Sequence, residues 1–370
     1  MKLAISKELL LTGLQAVQNV VGSRTTLPIL TNILLRAADG KLHLTATDLD
    51  VTVMCAVPAN VQAEGAITLP GKKFFGIVRE LVIPEVEIEV DDHSAASIRA
   101  GGSFFKINGL PAADYPPVPT FKQSKAVSVP QEKLKAMLRR TSFAVSTDES
   151  RYVLNGIFFS LKEHKLTLVA TDGRRLAMTD QEVELPPENE GDFIVPTKAI
   201  GELSRLLSVG QVELRFSENQ VGFTLTPAAE SGLGVVIISK LVDGTYPNYR
   251  QVIPQECLER VVIPREELLQ SLRRAEIMTS DKSNSVKLTF ALNQLAITAN
   301  TPDVGESRET MAITYKGKDI AIAFNPGYLM DPLKALDLDE VHFELIDELS
   351  PGVVKCSEPF LYVIMPMRMS

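Results

Sequence analysis

Residues 171–175, a Thr-Asp-Gly-Arg-Arg run, contain side chains that could hold or cleave a phosphoester. Asp172 could act as a general base, and the guanidinium groups of Arg174 and Arg175 could bind an anion. The run follows the strand-like segment KLTLVA, so a sheet would position it. One hypothesis is therefore a hydrolase or nuclease that uses these residues.

Two other segments resemble this corner, namely KLHLTATDLD at 41–50 and QLAITANTPD at 294–303. In each, apolar and polar residues alternate, which indicates a half-buried antiparallel strand. Asp48 and Asp172 occupy equivalent positions, whereas the third copy has Thr301 there. A side chain that closes its own turn explains this distribution better than catalysis does.

Helical patterns recur at matching offsets, at 5–23, 129–147 and 263–281. Apolar and small residues at i, i+4, i+7 and i+11 place one face of each helix in a core. These residues are Leu10, Leu14, Val17 and Val21, then Leu134, Leu138, Thr141 and Val145, and finally Leu268, Leu272, Ala275 and Thr279.

A third element also recurs, as a strand that runs through Pro into a short amphipathic helix at 68–81, 194–207 and 323–336. The remaining segments indicate strands separated by polar turns, as in antiparallel sheets. The sequence therefore predicts three copies of one α+β domain, each with two helices packed on antiparallel sheets. We expect domains at 1–123, 124–252 and 253–370.

Composition sets further limits on a chain of 370 residues with a net charge of −8. Three separated cysteines without a C-x-x-C motif favour a reducing compartment, and no apolar run is long enough to cross a bilayer. We expect a soluble, cytoplasmic protein. Neither a nucleotide-binding fingerprint nor a metal-ligand spacing is present, so we expect no cofactor and no metal.

Basic residues concentrate on the predicted helices, while acidic residues crowd the strands and turns. For one helix alone, a solvated face is the simpler explanation. Repetition favours a shared basic surface for a nucleic-acid backbone, without base-specific reading. The helical cations are Lys72, Lys73, Arg79, Lys133, Lys135, Arg139, Arg140, Lys198, Arg205, Arg265, Arg273, Arg274 and Lys334.

Only the second corner contains Gly-Arg-Arg, and this favours the rim of a binding pocket, with Gly173 permitting a tighter turn. The C-terminal run LYVIMPMRMS offers Met365, Met367 and Met369, an adaptable edge that suits several partners. The same run also fits the last strand of the third domain, and both interpretations stay open.

The whole chain resembles the β sliding clamps of bacterial DNA polymerase III. The resemblance rests on motifs from all three copies, namely TLPILTNILL (26–35), LPAADYP (110–116), RYVLNG (151–156), VATDGRRLA (169–177), SKLVDGTYPNYRQVIP (239–254) and YVIMPMR (362–368). It implies three DNA-clamp domains per chain and a ring-shaped head-to-tail homodimer. Helices would line the hole around double-stranded DNA, and the protein would be a processivity factor rather than an enzyme.

The resemblance also implies a peptide pocket between the second and third domains. Its partners would be the polymerase III core, the clamp loader, other polymerases, and mismatch-repair or ligase proteins, bound through short linear peptides. The pocket residues carried over are Leu154, Thr171, Gly173, Arg174, Arg175, Leu176, Pro247, Val363, Met365, Pro366, Met367 and Arg368.

The resemblance also implies residues that contact DNA and residues at a dimer interface. Arg24, Lys72 or Lys73, and Tyr152 resemble the family's DNA contacts, to which the basic-helix argument adds Arg139, Lys198 and Arg273. At the dimer interface, the pairs would be Phe105 and Ile107 of domain one with Ile277 and Met278 of the other chain. Phe105 and Ile107 fit ordinary core strand positions equally well.

The sequence departs from the family pattern at three places. Arg174 stands where the family often has His, Val153 where a second Tyr is common, and the tail continues to Met369 and Ser370 instead of ending at Leu. A monomeric scaffold that binds peptides without encircling DNA also stays open, and a native mass of one chain would favour it.

Overall fold

A computed structural model describes residues 1–22, 27–121, 124–229, 232–280, 284–302 and 304–368. Its α-helices occur in pairs, one pair in each predicted copy, which confirms the two-helix expectation. They are α1 (Lys7–Val17), α2 (Gly71–Glu80), α3 (Gln131–Thr141), α4 (Thr197–Leu206), α5 (Arg265–Glu276) and α6 (Pro326–Ala335).

The strands of the first copy are β1 (Lys2–Ser6), β2 (Asn32–Ala38), β3 (Lys41–Thr47), β4 (Val51–Pro58), β5 (Asn60–Ala63), β6 (Gly65–Pro70), β7 (Glu85–Val90), β8 (Ala95–Ala100) and β9 (Ser103–Asn108). Those of the second copy are β10 (Lys125–Pro130), β11 (Gly156–Lys162), β12 (Lys165–Thr171), β13 (Arg175–Glu182), β14 (Gly191–Pro196), β15 (Gly210–Phe216), β16 (Gln220–Pro227) and β17 (Val235–Lys240). Those of the third copy are β18 (Glu259–Pro264), β19 (Val286–Ala291), β20 (Gln294–Thr301), β21 (Gly305–Ala312), β22 (Ile320–Phe324), β23 (Glu340–Leu345), β24 (Gly352–Lys355) and β25 (Phe360–Ile364).

The first α-helix of each copy is shorter than its apolar pattern. α1 ends at Val17 and α3 at Thr141, and each continues as a 3-10 turn, Gln18–Val20 and Ser142–Ala144. Within the helices the predicted inward face is buried, as Leu14, Leu138 and Leu272 are fully enclosed. Val145 and Thr279, which the pattern places on the same face, lie past the helix ends and are half-buried. Burial of this face against the sheets, more than helix propensity, stabilises such short helices.

The chain forms two compact units. The first comprises Met1–Lys135, Val183–Glu190 and Lys198–Val242, and the second comprises Ala136–Glu182, Gly191–Thr197 and Asp243–Ser370. The central copy contributes strands to both. The expected boundary after residue 123 lies outside the described residues.

Within the described residues, each unit contains two antiparallel sheets. In the first unit, one sheet has the order β5-β1-β7-β8-β9 and the other β10-β15-β16-β17-β4-β3-β2-β6. In the second unit, the orders are β14-β11-β12-β13-β25-β24-β23-β18 and β21-β20-β19-β22. The eight-stranded sheets join strands of successive copies, through the β4–β17 and β13–β25 pairs.

Close packing of α1 on its sheet depends on Gly13. A Cβ at this position would lie 2.5 Å from Leu44 Cδ1 and 3.2 Å from Val57 Cγ1, and both side chains are buried. Gly201 in α4, in the same unit, is exposed, and apart from its neighbours and its own helix backbone no described residue has an atom within 4 Å of such a Cβ. The two helical glycines therefore differ in packing but share a low helix propensity.

We predict opposite effects of alanine at these two sites. Gly201→Ala should raise the free energy of unfolding by up to about 1 kcal/mol, the propensity difference. Gly13→Ala should lower it by about 1–3 kcal/mol, because overpacking outweighs that gain. Urea denaturation of both variants measures this, and equal stabilisation by the two would contradict the packing argument.

Candidate functional site

The turn after β12 is closed by its own carboxylate. Asp172 Oδ1 accepts hydrogen bonds from the backbone N–H groups of Arg174 at 2.9 Å and Arg175 at 3.1 Å. Asp48 accepts from the residues two and three positions after it, at 3.0 and 2.7 Å. The prediction that these carboxylates serve their own turns is confirmed. A carboxylate engaged in this way is poorly placed to act as a general base.

Glycine at position 173 does not make this turn tighter than its counterpart. Gly173 has φ +85°, and Leu49, the equivalent residue of the first copy, has φ +79°. The absence of a side chain instead leaves room for Arg151. The guanidinium Nη1 of Arg151 donates to the carbonyl oxygen of Asp172 at 3.0 Å, and a Cβ on residue 173 would lie 2.9 Å from this Nη1 atom.

Arg175 is part of a buried network. Its guanidinium donates to Asp172 Oδ2 at 3.1 Å, to Asp331 Oδ2 at 2.5 Å and to the carbonyl oxygen of Phe143 at 2.6 Å, and its side chain is 10% exposed. It also lies 4.2 Å from the ring centroid of Tyr328. Burial alone would lower the pKa of Arg175, but the interactions with Asp331 and Tyr362 together outweigh burial and raise this pKa. Arg175 thus links β13 to α6.

A face of the sheet beside this turn is apolar. Thr171 pairs with Leu176 across β12 and β13, and Leu176 pairs with Val363 across β13 and β25. Because side chains alternate along a strand, directly paired residues share one face. Thr171, Leu176 and Val363 therefore lie together, with Leu176 and Val363 each 2% exposed and Thr171 half-buried. We call these three residues the groove floor, after the role proposed for them below.

The C-terminal segment is fixed beside the groove floor by its backbone. The N–H of Met365 donates to the carbonyl oxygen of Arg174 at 3.0 Å, and that of Met367 to Ala323 at 2.7 Å. Both Met side chains are exposed, Pro366 between them is half-buried, and Arg368 is exposed. Met369 and Ser370 lie outside the described residues.

The segment before β18 packs on the same sheet. Tyr246 stacks on Phe158 with ring centroids 4.9 Å apart, and its hydroxyl donates to the carbonyl oxygen of Val169 at 3.5 Å. Burial raises the pKa of Tyr246. Pro247, the next residue, is exposed. Leu154 lies at the end of the 3-10 turn Glu149–Leu154 and is buried.

A separate cavity of 410 Å³ lies on the second unit and contains none of the predicted site residues. Its lining mixes cations with carboxylates and so favours no single ligand chemistry. The residues are Ser160, Lys162, Glu163, Lys165, Thr167, Met178, Asp180, Tyr249, Arg250, Ile253 and Gln255.

The predicted DNA-binding cations differ in their ion pairing. Lys72 and Lys73 on α2, and Arg273 on α5, are exposed and form no ion pair with any residue of the described ranges. Tyr152 is 57% exposed. Arg24 lies outside the described residues.

Two other predicted DNA-contacting cations already form ion pairs with carboxylates of the chain. Arg139 on α3 binds both carboxylate oxygens of Asp337, and the hydrogen bond from Arg139 lowers the pKa of Asp337. Lys198 on α4 pairs with Asp48. Burial raises the pKa of Asp48, but the Lys198 bond and two backbone bonds outweigh it, so this pKa is lowered.

The residues expected at a dimer interface are accessible to different degrees. Phe105 on β9 is 38% exposed and Ile277 after α5 is 74% exposed, whereas Ile107 and Met278 are half-buried. The alternative that Phe105 is a core residue is wrong. Phe105 borders a cavity of 350 Å³ whose other lining residues are Lys72, Lys73, Gly76, Ile77, Glu80, Leu81 and Ser103.

The described ranges contain neither a metal-ligand cluster nor a membrane-spanning helix. No group of three His, Cys, Asp or Glu residues there could hold a metal ion. No helix there is long and apolar enough to cross a membrane.

Sequence models of three parts of one protein family match successive stretches of the chain. They describe the N-terminal, central and C-terminal domains of the DNA polymerase III beta subunit, at residues 1–119, 128–248 and 250–368. The three matches follow the order of the three copies.

Individual relatives extend over the whole chain. It is 36% identical to the beta sliding clamp of Chlamydia muridarum over 370 residues, with 100% of this chain and 99% of that protein covered. It is 38% identical to that of Escherichia coli K12 over 377 residues, with 100% of both chains covered.

A solved structure agrees. The DNA polymerase III subunit beta of Pseudomonas aeruginosa has a TM-score of 0.94 and 35% identity, with 100% of both chains covered. On sequence and fold together, the chain belongs to the family of DNA polymerase III beta subunits, the beta sliding clamps, which are non-catalytic processivity subunits.

Proposed function

We propose that two copies of this chain close head to tail into a ring, by pairing β9 of one copy with β21 of the other. The observation that carries this proposal is the strand order of the sheets. We call the strand that follows the repeated corner of each domain its corner strand. In each eight-stranded sheet, the corner strand of one domain pairs with the last strand of the next domain, so that β4 pairs with β17 and β13 with β25.

Two sheet edges lack the partner that this rule assigns to them. In the described chain, β21, the corner strand of the third domain, and β9, the last strand of the first, each end a sheet. Pairing them would give a third sheet with the same order as the other two. Such an interface is heterologous, and it closes only if the rotation between copies completes a circle.

Side chains near these edges support the pairing. Exposed strand edges are prone to pair with other chains unless they are protected. Phe105 is partly exposed on β9 beside an apolar cavity, and Ile277 of a second copy supplies an apolar side chain that suits it.

In this proposal, the ring encircles double-stranded DNA, and the basic helices face the phosphate backbone. Lys72, Lys73 and Arg273 are the described candidates whose charge no ion pair neutralises. Contacts to phosphates alone carry no sequence information, so the ring would slide. Arg139 and Lys198 would contribute less, because Asp337 and Asp48 already bind them.

We also propose that the groove floor and the Met365–Arg368 edge receive short linear peptides. A preformed apolar surface with a polar rim suits two or three large apolar side chains. The partners would be the polymerase III core, the clamp loader, other polymerases, and mismatch-repair or ligase proteins. We further propose that the three domains span residues 1–123, 124–252 and 253–370.

Ile277→Asp should weaken dimerisation at least about 30-fold, since burying a charge in place of an apolar anchor costs about 2 kcal/mol or more. Leu349→Asp is the matched control, because Leu349 is 84% exposed in the same domain and lies between β23 and β24, which belong to a different sheet from β21. Sedimentation equilibrium at micromolar concentration measures the mass. A wild-type mass of one chain, of 40.5 kDa, would support the monomeric scaffold instead.

Arg273→Ala should weaken binding to linear duplex DNA. The slope of log affinity against log salt should fall by about 0.9, the value of one phosphate contact. Lys287→Ala, which removes an exposed cation from β19 of the same domain, should leave the slope unchanged. Fluorescence anisotropy over a NaCl series measures both. Equal slope changes in the two variants would contradict a specific contact of Arg273, because DNA affinity would then depend only on the total charge of the protein.

A further inference from the structure

We propose that Arg79 of one copy binds the C-terminal end of α5 in the other copy, by donating hydrogen bonds to the backbone carbonyl oxygens of Arg273 and Arg274. This inference rests on the proposed ring of two chains. It adds a charged contact between helices to the pairing of β9 with β21, and its basis is an equivalent arginine that joins two domains within the chain.

The equivalent arginine is Arg205 on α4. Arg79 and Arg205 stand at the same position of the repeated segment in which a strand runs through Pro into a short helix. In the first unit, the guanidinium of Arg205 donates to the carbonyl oxygens of Gln15 at 3.0 Å and Ala16 at 2.7 Å, in the last turn of α1. An arginine on the second helix of one domain thus caps the first helix of the preceding domain.

The acceptors of Arg205 have counterparts on α5. Gln15 and Ala16 correspond to Arg273 and Arg274 in the repeated first helix. The carbonyl groups in the last turn of a helix have no partner within the helix, and a cation there complements the helix dipole. The last turn of α5 therefore offers an arginine the same pair of acceptors as the last turn of α1.

Both helices lie beside the strand edges that the proposed ring would join. Arg274 forms an ion pair with Glu309 on β21 at 2.5 Å, which holds α5 beside that strand. α1 likewise packs on its corner strand, where the thiol of Cys55 donates to the carbonyl oxygen of Gly13 at 3.5 Å. Residues of α2 line one cavity together with Phe105 of β9. Pairing of β9 with β21 would therefore bring α2 of one copy next to α5 of the other.

In the single chain, Arg79 lacks the contacts that Arg205 makes. The side chain of Arg79 is 60% exposed, whereas that of Arg205 is 31% exposed. The Nε of Arg79 donates to Glu80 at 2.9 Å, an exposed pair that contributes little to stability. Within the described ranges, the two Nη groups of Arg79 donate to no acceptor, although in Arg205 these groups bind the carbonyl oxygens.

A different contact joins the second and third domains, and its counterpart at the chain–chain junction is incomplete. Arg139 on α3 binds Asp337 after α6. Arg273 corresponds to Arg139, but the counterpart of Asp337 is Val82, which is 91% exposed. The position expected opposite Arg273 thus carries an apolar side chain. Arg79 is therefore the charged contact that repetition predicts between these two helices, and Arg273 stays available to a phosphate.

The size of the effect follows from the loss of hydrogen bonds with a charged donor. Such bonds are stronger than neutral ones, and we expect Arg79→Gln to weaken each junction by about three- to tenfold. A closed ring of two copies contains the same heterologous junction twice. The dissociation constant of the dimer should therefore rise by about 10- to 100-fold.

The test measures the dimer dissociation constant of the full chain by fluorescence-detected sedimentation over a dilution series. The proteins are the wild type, Arg79→Gln, Arg79→Lys and Arg36→Gln, and circular dichroism checks that each variant is folded. Arg36→Gln is the matched control, because Arg36 is exposed on β2, in the same domain but in a different sheet from β9. Arg79→Lys keeps the charge but loses the planar fork that can reach two carbonyl oxygens together.

The inference predicts weaker dimerisation of Arg79→Gln, partial recovery in Arg79→Lys and a wild-type constant for Arg36→Gln. A wild-type constant for Arg79→Gln would overturn it. An equal loss in Arg36→Gln, or full recovery in Arg79→Lys, would also overturn it, because charge alone would then explain the result. A wild type that stays monomeric at every concentration would instead overturn the proposed ring, so the two failures are distinguishable.

Discussion

Backbone hydrogen bonds between β4 and β17, and between β13 and β25, join the sheets of successive domains into eight-stranded sheets. Antiparallel pairing fixes which residues face each other, so one register at each junction sets the position of every nearby side chain. The proposed ring extends the same rule across two chains. Its closure depends on whether β9 and β21 pair as their counterparts do.

The β13–β25 junction also generates the proposed peptide groove. Its register sets Leu176 beside Val363, and two adjacent arginines differ in their surroundings. Arg175 faces Asp331 and stabilises the junction from within, whereas the side chain of Arg174 is exposed. The same turn in the first domain keeps the capping carboxylate but carries a neutralised Asp50. A repeated structural corner has thus acquired different surface chemistry in one copy.

Local patterns predicted much of this structure, and long-range pairings account for what they missed. The helices, the alternating strands and the turn-closing role of Asp48 and Asp172 follow from short stretches of sequence. The Arg139–Asp337 ion pair joins residues 198 positions apart, so no local pattern indicates that this helical cation is already neutralised. The stack of Tyr246 on Phe158 was missed for the same reason, although Tyr246 stands within a motif that marks the family.

In the proposed ring, the protein holds DNA by encircling it. A decisive experiment loads the protein onto nicked circular DNA with clamp loader and ATP, washes at high salt, and then linearises the circle. We expect retention on circles in high salt and loss from linear DNA, because a closed ring leaves only by sliding off an end. Removal by salt to the same extent from both forms would contradict it, since binding would then depend on charge alone.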